Sequence, residues 1–394
     1  MSHELEQEKS KQACKIMDEL DLDVWLVWVR ETSQMADPVL ELILGADLVW
    51  QSALLYSRNG EKVAIVGNFD ADGIKSTGVF DKIVPYTQSI TEDFLTELDR
   101  LAPKNIGINF STNDVTADGL SVGMHMLLKE MLKDTKHIDV LTSAEALIGK
   151  LRGRKVAGEL TRIEKAVEIT ERIFDESQQF VRVGLTELQV YDFFHQRMRE
   201  YGVSSAWYED HNPAVDAGPN KQFGHSGPTD SKLKSGHLLH FDFGVKYEGY
   251  CSDIQRMFFL GSELEVPEEI KTAFQAVNDA ITAASEFVKP GIKGHEADAV
   301  ARDLVKERGY EEYQHALGHQ LGRNAHDGGT LLGPLWDRYG ETPNGIVEEG
   351  NVFTLELYVS TENYGQLSLE EDIIVTSTGC RFLSQRQLEL VYID

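Results

Sequence analysis

Cysteine is scarce in this chain. Cys14, Cys251 and Cys380 are scattered through 394 residues and form no CxxC pair. That excludes a disulfide scaffold and a Cys-rich zinc site, and it reads as reduced thiols in a cytoplasmic protein. Long apolar runs are missing too. No stretch approaches the roughly 20 residues that cross a bilayer, and the charged opening MSHELEQEKSKQ has no apolar core of a secretory signal. Basic side chains are outnumbered, 38 Lys and Arg against 65 Asp and Glu, for a formal net charge of -27. Nucleic acid and anionic membrane are therefore poor partners. A solvated acidic surface accounts for the charge; adaptation to high salt is the other reading, and stability that does not rise with salt excludes it. The first 150 residues also lack a GxGxxG, a Walker loop or a nucleophile elbow.

What is present points to two domains, 1–150 and 156–394. The first reads as an α/β unit with a mixed sheet flanked by helices. Residues 4–20 carry apolar positions at helical spacing, and DVWLVWV at 23–29 is a strand-like run. Further strands are expected at 52–56, 62–66, 83–86 and 105–109, with helices at 91–101 and 116–133. The basic stretch GKLRGRK at 149–155 reads as a linker. Helices are then expected over 157–181 and 186–201, the second with Thr186 as its N-cap.

The second region contains an internal repeat. FVRVG at 180–184 returns as FVKPG at 287–291, and REYG ending at Gly202 returns as KERG ending at Gly309. A strand follows each: SGHLLHFDF carries Asp242 and EGNVFTLEL carries Glu356, each six residues past a glycine. Each strand is followed by a second acid, Asp253 in one copy and Glu370 in the other. The first pair lies on an expected hairpin over 238–260, reversed at Gly249 and Tyr250. Carboxylates facing each other across a sheet repel unless a cation lies between them. A pseudo-twofold arrangement would bring all four acids to one centre. Between the copies lies HALGHQLGRNAHD, with His319 the natural fifth ligand. Four carboxylates and one imidazole suit two hard or borderline divalent ions.

These residues resemble a known family. The runs DFG…YEGYCSDIQR, HALGHQLGRNAHD, TLE, EED and VTSTG are similar to those of the M24 metallopeptidases, the pita-bread enzymes. The segment PKNIGINFSTNDVTADGL resembles the N-terminal domain of the creatinase and prolidase branch. The resemblance implies an α+β pita-bread fold for 156–394 and activity as an Xaa-Pro dipeptidase or aminopeptidase. It implies two divalent ions, manganese first, with cobalt, zinc or iron as alternatives, and a homodimer. By the same resemblance Asp242 serves one ion, Asp253 and Glu370 bridge both, and His319 and Glu356 serve the other. Glu356 is also the proton shuttle. His326 stabilises the tetrahedral intermediate, while His315 and His225 are substrate-side histidines of the prolyl branch.

Two features depart from that branch. Ser368 stands where an arginine is usual, and Glu356-Leu357-Tyr358 replaces Glu-Pro-Gly. The rival readings are a metal-free hydrolase resembling creatinase, a metal-dependent lyase acting on a small non-peptide substrate, and a binding protein on the same fold. The intact ligand set speaks against the first and third. His240 reads as a scaffold histidine of the strand, with no role in the site.

Overall fold

A computed structural model describes residues 3–220 and 227–393. It divides into two compact units, Met1–Arg152 and Gly153–Asp394.

The first unit is built on a mixed six-stranded sheet. Its strands are β1 (Val24–Val29), β2 (Ser52–Ser57), β3 (Lys62–Gly67), β4 (Lys82–Tyr86), β5 (Ile106–Ile108) and β6 (Leu141–Ser143), in the order β4-β3-β2-β1-β5-β6. β1, β2 and β3 are buried at every position. A strand covered on both faces needs apolar side chains on both, which is why VWLVWV runs without alternation. Successive side chains enter opposite layers: Trp25, Val27 and Val29 join one apolar cluster, and Val24, Leu26 and Trp28 join the other.

Two expectations for this region need correction. The helix expected over 116–133 is a short 3-10 turn at Val115–Ala117 and a separate helix at Val122–Leu132. Ser121 starts the second helix by accepting the Met124 N–H. The stretch read as a linker does hold the boundary between the two units, but it is not an irregular loop. A helix runs through it, Glu145–Gly153, and the buried Arg152 donates to the Pro38 carbonyl at 2.6 Å.

The second unit repeats one plan twice, as a pita-bread fold does. Helices Ala157–Phe180 and Glu187–Tyr201 precede β7 (Ser204–Ser205), β8 (Ala214–Ala217), β9 (Leu238–Phe243), β10 (Val245–Tyr247), β11 (Tyr250–Cys251) and β12 (Ile254–Leu260). Helices Glu268–Phe287 and Gly294–Glu307 precede β13 (Val352–Ser360), β14 (Gln366–Val375) and β15 (Cys380–Phe382), and β16 (Val391–Ile393) closes the chain. One sheet has the order β16-β12-β9-β8 and another β13-β14-β15.

Local bonds also repeat. The Gly184 N–H donates to Leu233 O and the Gly291 N–H to Val347 O, both at 2.9 Å. Both glycines hold a left-handed φ, 94° and 95°, a conformation that a Cβ would strain. At the starts of the second helices, Gln189 accepts the Thr186 N–H and Glu296 accepts the Lys293 N–H. Phe174, Phe194, Phe241 and Phe243 interlock under the first copy, with ring centroids 4.8–6.0 Å apart. Each such buried ring contributes about 1.5–3 kcal/mol by leaving water. This packing backs β9, and Phe258 of β12 joins it with its ring centroid 5.0 Å from that of Phe241.

Candidate metal centre

β9 and β12 pair antiparallel, with Asp242 opposite Gln255. β13 and β14 pair antiparallel, with Glu356 opposite Glu370. The reversal of the first hairpin differs from expectation. The left-handed residues are Glu248 and Gly249, and Tyr250 already begins β11. Asp253 lies one residue before β12 rather than within it. Its N–H donates to the Asp372 carboxylate at 3.2 Å, which ties this non-strand residue to β14.

His319 arrives on an extended segment laid along β13. The Glu356 N–H donates to Leu317 O at 2.7 Å, the Thr354 N–H to His319 O at 3.0 Å, and the Leu321 N–H to Val352 O at 3.0 Å. The approach is so close that a Cβ on Gly318 would stand 1.9 Å from Thr354 O. Glycine before the histidine is therefore a steric requirement of this pairing.

The result is a compact donor cluster. Among the described residues, Asp253, His319 and Glu370 each offer a ligand atom, all within 4.8 Å of one another. His319 Nε2 lies 3.6 Å from Glu356 Oε1, 3.8 Å from Asp253 Oδ2 and 4.0 Å from Glu370 Oε1. Asp242, on β9, is close enough that its charge raises the pKa of Asp253 and of Glu356. The His326 ring is edge-on to His319, with centroids 4.3 Å apart. His315 Nδ1 is 4.0 Å from Glu356 Oε2 and 2.7 Å from the Ala316 carbonyl. His225 lies outside the described residues.

The electrostatics are those of an acid cluster that needs a cation. Burial, then Asp242, Asp372 and Glu356, hold the Asp253 carboxyl well above its ordinary range. Burial and Asp253 do the same to Glu370, and burial with Asp242 pushes Glu356 up to about 8. The histidines shift the opposite way. Burial and the neighbouring His326 lower His319 to about 3, and burial, with Arg302 and Arg338 nearby, lowers His315 to about 4. Both imidazoles are thus neutral at pH 7 and can offer a lone pair. Carboxylate oxygens with one neutral nitrogen fit hard or borderline divalent ions.

Pleating separates the acids of the LEED run. Glu370 faces the cluster, and Glu371 turns away to Arg256 Nη2 at 3.0 Å. Asp372 returns to the cluster side, where burial raises its pKa. Three supporting residues were not singled out from the sequence. Lys155, within the supposed linker, is buried and 3.1 Å from Asp327 Oδ2, bracing the loop that carries His326. Gln255 Nε2 donates to Glu356 Oε2 at 3.3 Å. His240 is buried between Asp216 and Gln255. Its i, i+2 relation to Asp242 on one strand was the available signal; the Lys155 pairing spans 172 residues and leaves no local trace.

The model of metallopeptidase family M24 matches residues 161–377. An uncharacterized peptidase of Staphylococcus aureus (strain USA300) is 28% identical over 333 residues, covering 84% of this chain and 87% of that protein. Among solved structures, the X-Pro aminopeptidase from Thermotoga maritima MSB8 aligns with a TM-score of 0.72 at 24% identity, covering 98% of this chain and 99% of that one. The Xaa-Pro dipeptidase from Bacillus anthracis gives 0.74 at 24% identity with the same coverage. The prolidase from Pyrococcus furiosus gives 0.70 at 22% identity, covering 95% and 99%. These likenesses establish the fold along nearly the whole chain.

Proposed function

The chain belongs to metallopeptidase family M24, and from that premise we propose that it hydrolyses Xaa-Pro peptide bonds using two divalent ions. The observation that carries this reading is the cluster of Asp253, His319 and Glu370 within 4.8 Å, with Glu356 3.6 Å from His319. Asp242 would hold one ion, His319 and Glu356 the other, and Asp253 and Glu370 both. Manganese is the first candidate, ahead of cobalt, zinc and iron. Bound divalent ions polarise a carbonyl and lower the pKa of water toward about 7.

The protein's own groups supply the remaining chemistry. Glu356 takes a proton from the attacking water and returns it to the leaving nitrogen. Its carboxyl, pushed up to about 8 by burial and the charge of Asp242 in the metal-free cluster, would be ionised by bound cations and so be free to accept that proton. His326, beside His319, donates to the developing oxyanion. His315 is held by the Ala316 carbonyl, and we assign it and His225 a role in substrate binding. Specificity for Xaa-Pro is supported by fold neighbours named as an X-Pro aminopeptidase and an Xaa-Pro dipeptidase. We assign the protein to the cytoplasm as a homodimer. No described helix is long and apolar enough to cross a membrane.

The test is a substrate panel with manganese, cobalt and zinc. It includes Xaa-Pro dipeptides, longer Xaa-Pro peptides and small non-peptide substrates for lyase chemistry. Release of the residue before proline is the expected result. Turnover confined to non-peptide substrates would replace this reading with the lyase.

A further inference from the structure

A buried polar chain crosses the second unit and ends on Glu356. It begins on β8 and passes through β9, β12 and β14 to β13. Asp216 and His240 are direct cross-strand partners, and His240 Nδ1 lies 3.1 Å from Asp216 Oδ2. The other ring nitrogen, Nε2, lies 3.0 Å from Gln255 Oε1. The Ser368 hydroxyl donates to the same Gln255 oxygen. Gln255 Nε2 then donates to Glu356 Oε2 at 3.3 Å. Asp216, His240, Gln255 and Ser368 are 2%, 3%, 7% and 3% exposed, so water does not compete for these bonds.

We infer that Gln255, oriented by His240 and Ser368, is a positioning residue that fixes the Glu356 carboxylate for metal binding and proton transfer. The inference rests on the assignment of Glu356 as a metal ligand. The direction of each bond follows from the groups. An amide whose nitrogen donates to Glu356 presents its oxygen to the other side. That oxygen only accepts, so His240 must carry a proton on Nε2, and its 3.1 Å contact with Asp216 Oδ2 takes a second proton, on Nδ1 or on the carboxyl. Asp216 holds the opposite edge of the ring. The two oxygens of Glu356 thereby differ: Oε2 is bonded to Gln255, and Oε1 is left facing His319 at 3.6 Å. Without Gln255 the carboxylate is free to rotate and the two oxygens become equivalent. Ser368 belongs to this chain because its short side chain reaches Gln255 while its oxygen stays 3.1 Å from the Leu357 carbonyl.

The test uses manganese alone, titrated calorimetrically into the metal-free full-length protein. The variants are Gln255→Leu, His240→Gln and His240→Asn. Glutamine places its amide nitrogen near the position of His Nε2, and asparagine places it near Nδ1. Only His240→Gln keeps a donor aimed at Gln255. Outer partners of metal ligands typically contribute about 10–100-fold in metal affinity, so Gln255→Leu and His240→Asn should weaken one manganese site by that much. The second site should change little, and His240→Gln should match the wild type. Equal binding by His240→Gln and His240→Asn, or wild-type binding by Gln255→Leu, overturns the inference. Failure of the wild type to bind manganese overturns it too. If a His240 variant does not fold, Ser368→Ala against Ser368→Thr gives the same comparison, with only the alanine expected to weaken binding. Normal manganese behaviour without Xaa-Pro turnover would refute the proposed substrate and leave the positioning role standing.

Discussion

Replacing Glu356 with glutamine should stabilise the metal-free protein at alkaline pH while abolishing turnover. The sign follows from the direction of the shift. Burial and Asp242 raise the Glu356 carboxyl from 4.5 to about 8. A group raised in the folded state contributes its full stability below the unfolded value, and that contribution is lost as pH rises through the folded value. The loss therefore begins above about pH 4.5 and is complete a little above pH 8. At roughly 1.4 kcal/mol per pKa unit, a rise of about 3.5 units sets a ceiling of roughly 5 kcal/mol. The acids share protons, because ionising one hinders the next, so about 2–3 kcal/mol is expected for a single residue. Each kcal/mol moves the melting point of a domain this size by about 2–4 °C, which makes the difference about 5–10 °C. The assay is calorimetric melting of chelator-treated wild type and Glu356→Gln between pH 5 and pH 8.5. Comparing the two proteins cancels the general repulsion of a chain with net charge -27. The variant should gain on the wild type steadily as pH rises, and adding manganese should reverse the order. A difference that stays flat or shrinks with pH would refute the account of the acid cluster.

Other outcomes follow from the same geometry. Asp253→Ala should lose both ions by elemental analysis, whereas Asp242→Ala should lose mainly one; equal stoichiometry would contradict the bridging assignment. Arg256→Met removes donors from Glu371 and from the carbonyls of Glu370 and Gln385. Breaking such a buried pair should cost about 3–5 kcal/mol in denaturant unfolding, and adding Glu371→Leu should recover much of it. Light scattering should give the mass of a dimer, and a monomeric mass would count against the homodimer.

Much of this arrangement was legible because it is local or repeated. Strands β1 to β3 are short apolar runs between turn residues. Thr186 and Gln189 form a cap that can be read from four letters. FVRVG and FVKPG mark the same turn twice, because both need a glycine at positive φ. The less visible parts depend on contacts between distant strands. His240 reads as an ordinary strand histidine until β8 and β12 place Asp216 and Gln255 against its two nitrogens. Lys155 reads as part of a solvated basic stretch, because Asp327 is far away in sequence. The 116–133 helix was overextended because its apolar spacing continues across a break. At Gly119 a Cβ would stand 2.1 Å from the Asp37 carboxyl carbon, so the chain there follows tertiary contact rather than propensity.

Register also explains why the two copies place their second acids differently. In the second copy, Glu370 lies directly opposite Glu356. The residue directly opposite Asp242 is Gln255 rather than Asp253. A strict repeat would therefore put a carboxylate at position 255. That would add an acid beside Glu356, in a site where burial and like charge already raise Asp253, Glu356, Glu370 and Asp372. Each further buried negative charge makes the metal-free fold harder to maintain. The amide at 255 keeps the size of a glutamate, donates to Glu356 instead of repelling it, and leaves its oxygen for His240 and Ser368. The acid displaced from that register reappears two residues earlier, outside the strand, where the Asp253 N–H is secured by Asp372. The asymmetry between the hairpins thus brings the acids together while one neutral side chain orients Glu356.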